Sequence, residues 1–185
     1  DSADAWANQG LFALDETGFP LEVAGVPPDY FSADGQKWGN PLYAWEVMKA
    51  DDYAWWKDRL RHAAGLFDKV RIDHFRAFSA YWAVPFDAET AKEGKWEPGV
   101  GEEFFQEIFR QIPRDRIIAE DLGQRDRSLE TLLEQTGLPG MRVLQFGFLD
   151  EADNLHLPHN FPRNTVAYSG THDNNTLLAY LWELT

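Results

Sequence analysis

Hydrophobic and polar positions along this chain change period several times. Residues 44–64, AWEVMKADDYAWWKDRLRHAA, place apolar side chains near helical spacing, with Gly65 as a C-cap. DKVRID (68–73) alternates apolar with charged residues and predicts a strand. EEFFQEIFRQI (102–112) predicts a helix stopped by Pro113, and DRIIAED (115–121) a second strand that turns abruptly acidic. Residues 126–137 predict a helix with Asp126 or Ser128 as N-cap and Gly137 as C-cap. MRVLQFGF (141–148) is a third strand. NTVAYSGTHDNN (164–175) is a fourth, running into a polar turn, and TLLAYLWEL opens another helix. Such alternation predicts an α/β fold with a parallel sheet and helical crossovers.

The first 45 residues give no sustained period and are expected to be mostly loop. GFPLEVAGVPPDYFSADGQKWGNPLY (18–43) is dense in Gly, Pro, Asp and Asn. A loop this long in a compact domain is functional or disordered, and Tyr30, Phe31, Trp38 and Tyr43 argue for function. AFSAYWAVP (77–85) fits helix or strand equally, and 87–101 is expected to be loop. The domain organisation expected is a loop-rich segment at 1–45 followed by a catalytic core at 46–185.

Composition removes several function classes. With 185 residues, 44% hydrophobic and 26% charged, the chain can bury a single real core. A formal net charge of -14 disfavours nucleic acid and anionic membrane surfaces as partners. Cysteine is absent, which excludes disulfides, thiolate metal sites and cysteine nucleophiles. No apolar run approaches a membrane span and no secretory signal pattern opens the chain, so a cytoplasmic protein is expected. Eight Trp suit stacking on sugar faces, although packing in a core is the commoner use.

The candidate chemistry lies where strands end. Arg71-x-Asp73-His74, Glu120-Asp121 and His172-Asp173 each follow an apolar stretch, at the carboxyl end of a predicted strand. In a (β/α) barrel that end carries the active site, with groups drawn from several strands. Each cluster also has a structural explanation. Arg71 and Asp73 share a strand face and could form an ion pair. Glu120-Asp121 could open a helix, and GTHDNN makes a good turn. Those explanations leave the recurrence at one end unaccounted for. Several convergent carboxylates without thiol or phosphate loop suit glycoside chemistry. One acid protonates the leaving oxygen, and a second carboxylate attacks the anomeric carbon or activates water.

VRIDHFRAF, IIAEDLG and GTHDNNT resemble the catalytic motifs of the α-amylase clan. GVPPDYFSADGQKWGNPLY and LPGMRVLQFGF narrow the resemblance to the amylomaltase, or disproportionating-enzyme, family of 4-α-glucanotransferases, over residues 2 to about 182. The resemblance implies a (β/α)8 TIM barrel of which this chain holds strands four to seven with their helices. It implies Asp73 as nucleophile, Arg71 as its orienting partner, and Glu120 as general acid and then base. Asp173 with His172 would grip the donor ring, with Asp121 and His74 in support. Asp29, Trp38 and Asn40 would belong to a flexible loop over the glucan groove. No metal or organic cofactor is implied, and the partners implied are α-1,4-glucans and maltooligosaccharides. A plastid location would apply in a plant or alga.

The resemblance has departures. Ala77 stands where the family pattern has Gly, Asn175 where Asp is common, and KWEPGVG is a loose version of a glycine-rich stretch. Family members are much longer, which implies a fragment whose open sheet edges meet the rest of the barrel or another copy of the chain. Three rival readings share these residues. One is a metal-dependent hydrolase using His74, His172 and the carboxylates; another is a non-catalytic glucan-binding half barrel; the third is an α-glucan hydrolase of the same clan.

Overall fold

The computed structural model describes residues 2–29, 32–148 and 153–184; Tyr30 and Phe31, counted above among the loop aromatics, lie outside the described residues. Among the described residues the strands are β1 (Glu22–Val26), β2 (Gln36–Pro41), β3 (Val70–Ile72), β4 (Ala80–Pro85), β5 (Lys95–Pro98), β6 (Ile117–Ala119), β7 (Gly140–Val143) and β8 (Thr165–Tyr168). The α-helices are α1 (Ala3–Ala7), α2 (Trp45–Ala50), α3 (Ala54–Leu66), α4 (Gly101–Phe109), α5 (Arg127–Thr136) and α6 (Leu177–Glu183). The chain divides into two compact units, Asp1–Leu66 with Arg76–Ile112, and Phe67–Phe75 with Pro113–Thr185.

The first unit carries an antiparallel sheet in the order β2-β1-β4-β5. Much of the expected N-terminal loop is therefore strand. β1 buries alternate residues, Val23 and Gly25, and pairs along its length with β4, Val23 opposite Val84. Five residues flanked by Gly and Pro give too little local pattern to be legible; the pairing partner some 60 residues away supplies the order. The ambiguous 77–85 stretch resolves into a 3-10 turn (Phe75–Phe78) and β4, while β5 interrupts the expected loop at 87–101.

The helix expected over 44–64 is two helices, because Asp52 and Tyr53 take left-handed backbone angles with φ of 56° and 57°. That conformation costs roughly 1–2 kcal/mol per non-glycine residue. Offsetting it, the Tyr53 N–H donates to the Met48 carbonyl at 2.7 Å and ends α2. The Tyr53 ring is buried edge-on to Phe104, 5.1 Å between centroids. α3 continues through Gly65 to Leu66, so Gly65 is not its cap. Part of the tryptophan is structural. Trp45, Trp56, Phe78 and Phe104 form a packed aromatic core with centroid separations of 4.9 to 6.3 Å. A fully buried ring such as Phe104 contributes roughly 1.5–3 kcal/mol.

The second unit is the parallel part. β3 runs parallel to β6, with Arg71 opposite Ile118, and β7 parallel to β8, with Val143 opposite Tyr168. A hydrogen bond from the Ala119 N–H to the Pro139 carbonyl, 2.9 Å, links the two pairs. Helix α5 is capped as its sequence predicts. Asp126 accepts from the N–H groups of Ser128 and Leu129, and Gly137 closes the helix at φ 64°. Ile117, Ala119, Leu129, Met141 and Val143 are fully buried in this unit. The strands are short and apolar, so the polar residues that follow them emerge at their carboxyl ends.

Candidate active site

Every strand-end cluster singled out in the sequence belongs to the second unit. Arg71 and Asp73 project from the same side of β3 and its exit, as a spacing of two requires. Their contact is loose, Nη2 to Oδ1 3.4 Å, and the Asp73 side chain is 78% exposed. His74 follows with φ 46°, a left-handed angle uncommon outside glycine, and it is held there by constraint. The constraint is visible in the hydrogen bonds. The His74 N–H donates to Glu120 Oε2 at 2.7 Å, and the Phe75 N–H donates to the Glu120 carbonyl at 3.0 Å. On the other strand the Glu120 N–H donates to the Ile72 carbonyl at 2.9 Å. The ladder of β3 and β6 thus runs on past the strands, and this brings the Asp73–His74 corner against Glu120.

Glu120 is half-buried and held at both oxygens, the second by the Leu122 N–H at 2.7 Å. Burial pushes its carboxyl above the usual carboxylate range. The two backbone donors pull the other way, and the negative charges of Asp73 and Asp121 add to the upward shift. A carboxyl so placed keeps its proton to higher pH than a free glutamate, which suits a general acid.

Asp121, the next residue, does something different. It is 2% exposed, and its carboxylate accepts from the Met141 N–H at 2.7 Å and from Arg142 Nη1 at 3.0 and 3.2 Å. Arg125 Nη1 donates to it as well. The structure therefore sets Asp121 in a buried ionic knot between the end of β6 and the start of β7. Expected as a substrate-binding residue, it has both oxygens engaged by the protein itself.

His172 and Asp173 lie on the turn after β8, 73% and 79% exposed, with Nε2 and Oδ1 3.4 Å apart. The turn is stitched internally: the Thr171 N–H and hydroxyl donate to Asn174 Oδ1 at 2.8 and 3.0 Å. A polar pocket of about 170 Å³ opens beside it, lined by Gln145, Ser169, Gly170, Thr171, Asn174 and Asn175 among others. The structure thus bonds His74 to Glu120 directly, with Asp73 next to His74 in the chain, whereas Asp173 finds its partners within its own turn. Gln145 was missed by sequence reasoning. The signal was a lone amide inside the apolar run MRVLQFGF.

Asp29, Trp38 and Asn40 belong to the other unit. Asp29 is exposed and accepts from the Ser32 N–H at 2.9 Å. Trp38 and Asn40 are exposed and two apart on β2, on the same face of the ribbon, and Trp38 Nε1 donates to Gln36 Oε1 at 3.0 Å. The segment expected as a flexible loop here is one arm of a β-ribbon.

His156 adds a pH-sensitive joint near the knot. Its Nδ1 accepts from the Val143 N–H at 3.0 Å, so the ring must be neutral at that nitrogen. Burial holds it below the ordinary imidazole range; the charges of Arg142 and Arg125 act in the same sense and Asp121 opposes them. Lowering pH through about 6.5 protonates the unfolded imidazole first. The contribution of His156 to stability is therefore complete above that value and lost as pH falls toward its folded pKa. Urea unfolding at pH 7 and pH 5 is expected to show a larger loss for the native chain than for His156→Gln. Equal losses would contradict this.

Among the described residues, no three of His, Cys, Asp and Glu come together with metal-ligand spacing, and no helix is long and apolar enough to cross a membrane. Comparison with known proteins completes the picture. The model of the 4-alpha-glucanotransferase family matches residues 1–184. The chain is 51% identical over 182 residues to the chloroplastic/amyloplastic 4-alpha-glucanotransferase DPE1 of Arabidopsis thaliana, covering 98% of this chain and 31% of that protein. It is 51% identical over 185 residues to the 4-alpha-glucanotransferase of Thermus thermophilus, covering 97% of this chain and 36% of that one. Its structure matches the amylomaltase from Streptococcus agalactiae in complex with acarbose with a TM-score of 0.93 and 45% identity, over 100% of this chain and 38% of that one. A likeness in fold extends to the amylomaltase from Corynebacterium glutamicum, with a TM-score of 0.78 at 20% identity over 94% of this chain and 24% of that one. The chain thus spans about a third of the length of the curated relatives it matches. With a family match along nearly its whole length and half its residues shared with such relatives, this chain belongs to the 4-alpha-glucanotransferase family.

Proposed function

We propose that this chain carries the reacting carboxylates of a 4-α-glucanotransferase working by retaining double displacement on α-1,4-glucans. The observation that carries the reading is Glu120: a half-buried carboxyl with a raised pKa, pinned by two N–H groups beside the charge of Asp73. In the first step an Asp73 oxygen bonds to the anomeric carbon of the donor. The glycosidic C1–O bond breaks, and the departing oxygen takes the Glu120 proton. In the second step the acceptor 4-OH gives its proton back to Glu120, its oxygen bonds to the same carbon, and Asp73 is released. Arg71 orients Asp73 from beside it on the strand end, and His74 supports the corner through its backbone.

Asp173 and His172, exposed on their turn, are suited to hydrogen-bond the ring hydroxyls of the donor. Asp121 acts as support from its buried knot. Trp38 offers an exposed aromatic face for a sugar to stack on, with Asn40 on the same strand and Asp29 in the segment between the ribbon's two arms. The parallel strands β3, β6, β7 and β8 are proposed as four consecutive strands of a TIM barrel, and the carboxylates at their carboxyl ends fit that architecture.

A second reading, a glucan-binding module without turnover, is favoured by the high exposure and loose pairing of Asp73 and Asp173. Incubation with maltotriose separates the two. Transfer gives glucose and a ladder of longer oligomers. Binding without any change in chain lengths contradicts it, and glucose with maltose alone points to hydrolysis. Since the chain spans about a third of its relatives, the same assay on the Thermus thermophilus enzyme with its matching segment replaced by this chain is the companion measurement.

A further inference from the structure

The amide of Gln145 spans both ends of the turn that presents His172 and Asp173. Gln145 lies just past β7 and is 6% exposed. Its Nε2 donates to the Asn175 carbonyl at 2.9 Å, just beyond the turn. At the near end a Cβ on Gly170 would fall 2.5 Å from the same nitrogen, so glycine there leaves room for the amide. The Gln145 carbonyl in turn accepts from the Tyr180 hydroxyl on α6 at 3.1 Å. Hydrogen bonds within the turn fix its shape but not its tilt relative to β7. Among the described residues, the Asp173 side chain meets no more than the loose His172 contact. Its location therefore follows the backbone, which is held by the β7–β8 ladder before the turn and by Gln145 beyond it.

We propose that Gln145 is a positioning residue for the transfer reaction: it fixes the His172–Asp173 turn against the end of β7. The inference rests on the reading that Asp173 grips the donor ring. A contact made to a distorted ring contributes to the transition state more than to ground-state binding, so a displaced Asp173 lowers kcat more than it raises KM.

The test uses the full chain, in isolation and within the Thermus thermophilus segment exchange, with maltotriose as substrate. Gln145→Met keeps the length of the side chain and removes the donor. It is expected to lower kcat about 10- to 100-fold, as for a misplacement of ~1 Å, with KM nearly unchanged. Gln145→Glu adds a readout that loss of packing alone would not give. Its protonated carboxyl can donate to the Asn175 carbonyl, whereas its carboxylate repels it. The activity of this variant relative to native should climb as pH falls, and that of Gln145→Met should stay flat. A crystal structure of the Gln145→Met chain should show Asp173 displaced while β7 stays in place; this arm does not depend on turnover. Native kcat in Gln145→Met, or an unmoved turn, overturns the proposal. Asp173→Ala tells the two failures apart. If that variant is fully active, the role given to Asp173 is wrong. If it is inactive while Gln145→Met is native-like, the role given to Gln145 is wrong.

Discussion

Glu120→Gln is expected to lower glucan transfer by roughly 10²–10⁴-fold, the usual worth of a general acid–base group, and to leave the fold standing. The amide has one acceptor oxygen in place of two, so either the His74 or the Leu122 N–H loses its partner. That costs about 1–3 kcal/mol, within a domain's stability of roughly 5–15 kcal/mol. The pH profile is a second readout. Burial raises the pKa of Glu120, so transfer should decline on the basic side at a pH above the ordinary carboxylate range. In the variant that limb should vanish along with most of the rate. The raised pKa carries a stability cost of definite sign. The stabilisation it contributes is present below the unfolded value, near 4.5, and is lost as pH rises through the folded one. A variant with native rates at every pH would remove Glu120 from the mechanism.

Breaking the knot below it should have the largest effect on stability. Asp121→Leu leaves Arg142, 4% exposed, and Arg125 without their shared carboxylate, and removes the acceptor of the Met141 N–H. Removing one partner of a buried ion pair costs about 3–5 kcal/mol, because an uncompensated charge stays behind. Urea unfolding of the variant measures this directly. Adding Arg142→Met should recover much of the loss, since the stranded charge goes as well. A loss below about 1 kcal/mol, the range of exposed pairs, would show that the knot is solvated. Gly140→Ala probes the same place sterically, because its Cβ would fall 2.7 Å from both Asp121 oxygens.

The parts of this molecule that were legible in the sequence share a physical character: their signal is local. α5 announces itself through Asp126 and Gly137 because caps act within a few residues. β3 and β6 announce themselves through apolar runs that end in charge. The charged clusters that follow those strands were legible for the same reason. What stayed hidden depends on distant partners. β1 is ordered by pairing with β4, and the break between α2 and α3 is set by the burial of Tyr53 against Phe104. Asp121 and Glu120 are neighbours of like charge in the sequence, and nothing local says that one is pinned in a buried ionic knot and the other held half-buried by two N–H groups. Gln145 was hidden because its partners, Gly170 and Asn175, lie on another strand's turn.

Double displacement through Asp73 is most directly tested by trapping. With α-glucosyl fluoride, whose fluoride leaves without acid help, Glu120→Gln should still form the covalent adduct and resolve it slowly for want of a base. Mass spectrometry of an acid-quenched digest is expected to find one glucosyl unit on the peptide containing Asp73, absent in Asp73→Ala. An adduct on another carboxylate would contradict the account, as would fluoride release that leaves the protein unmodified.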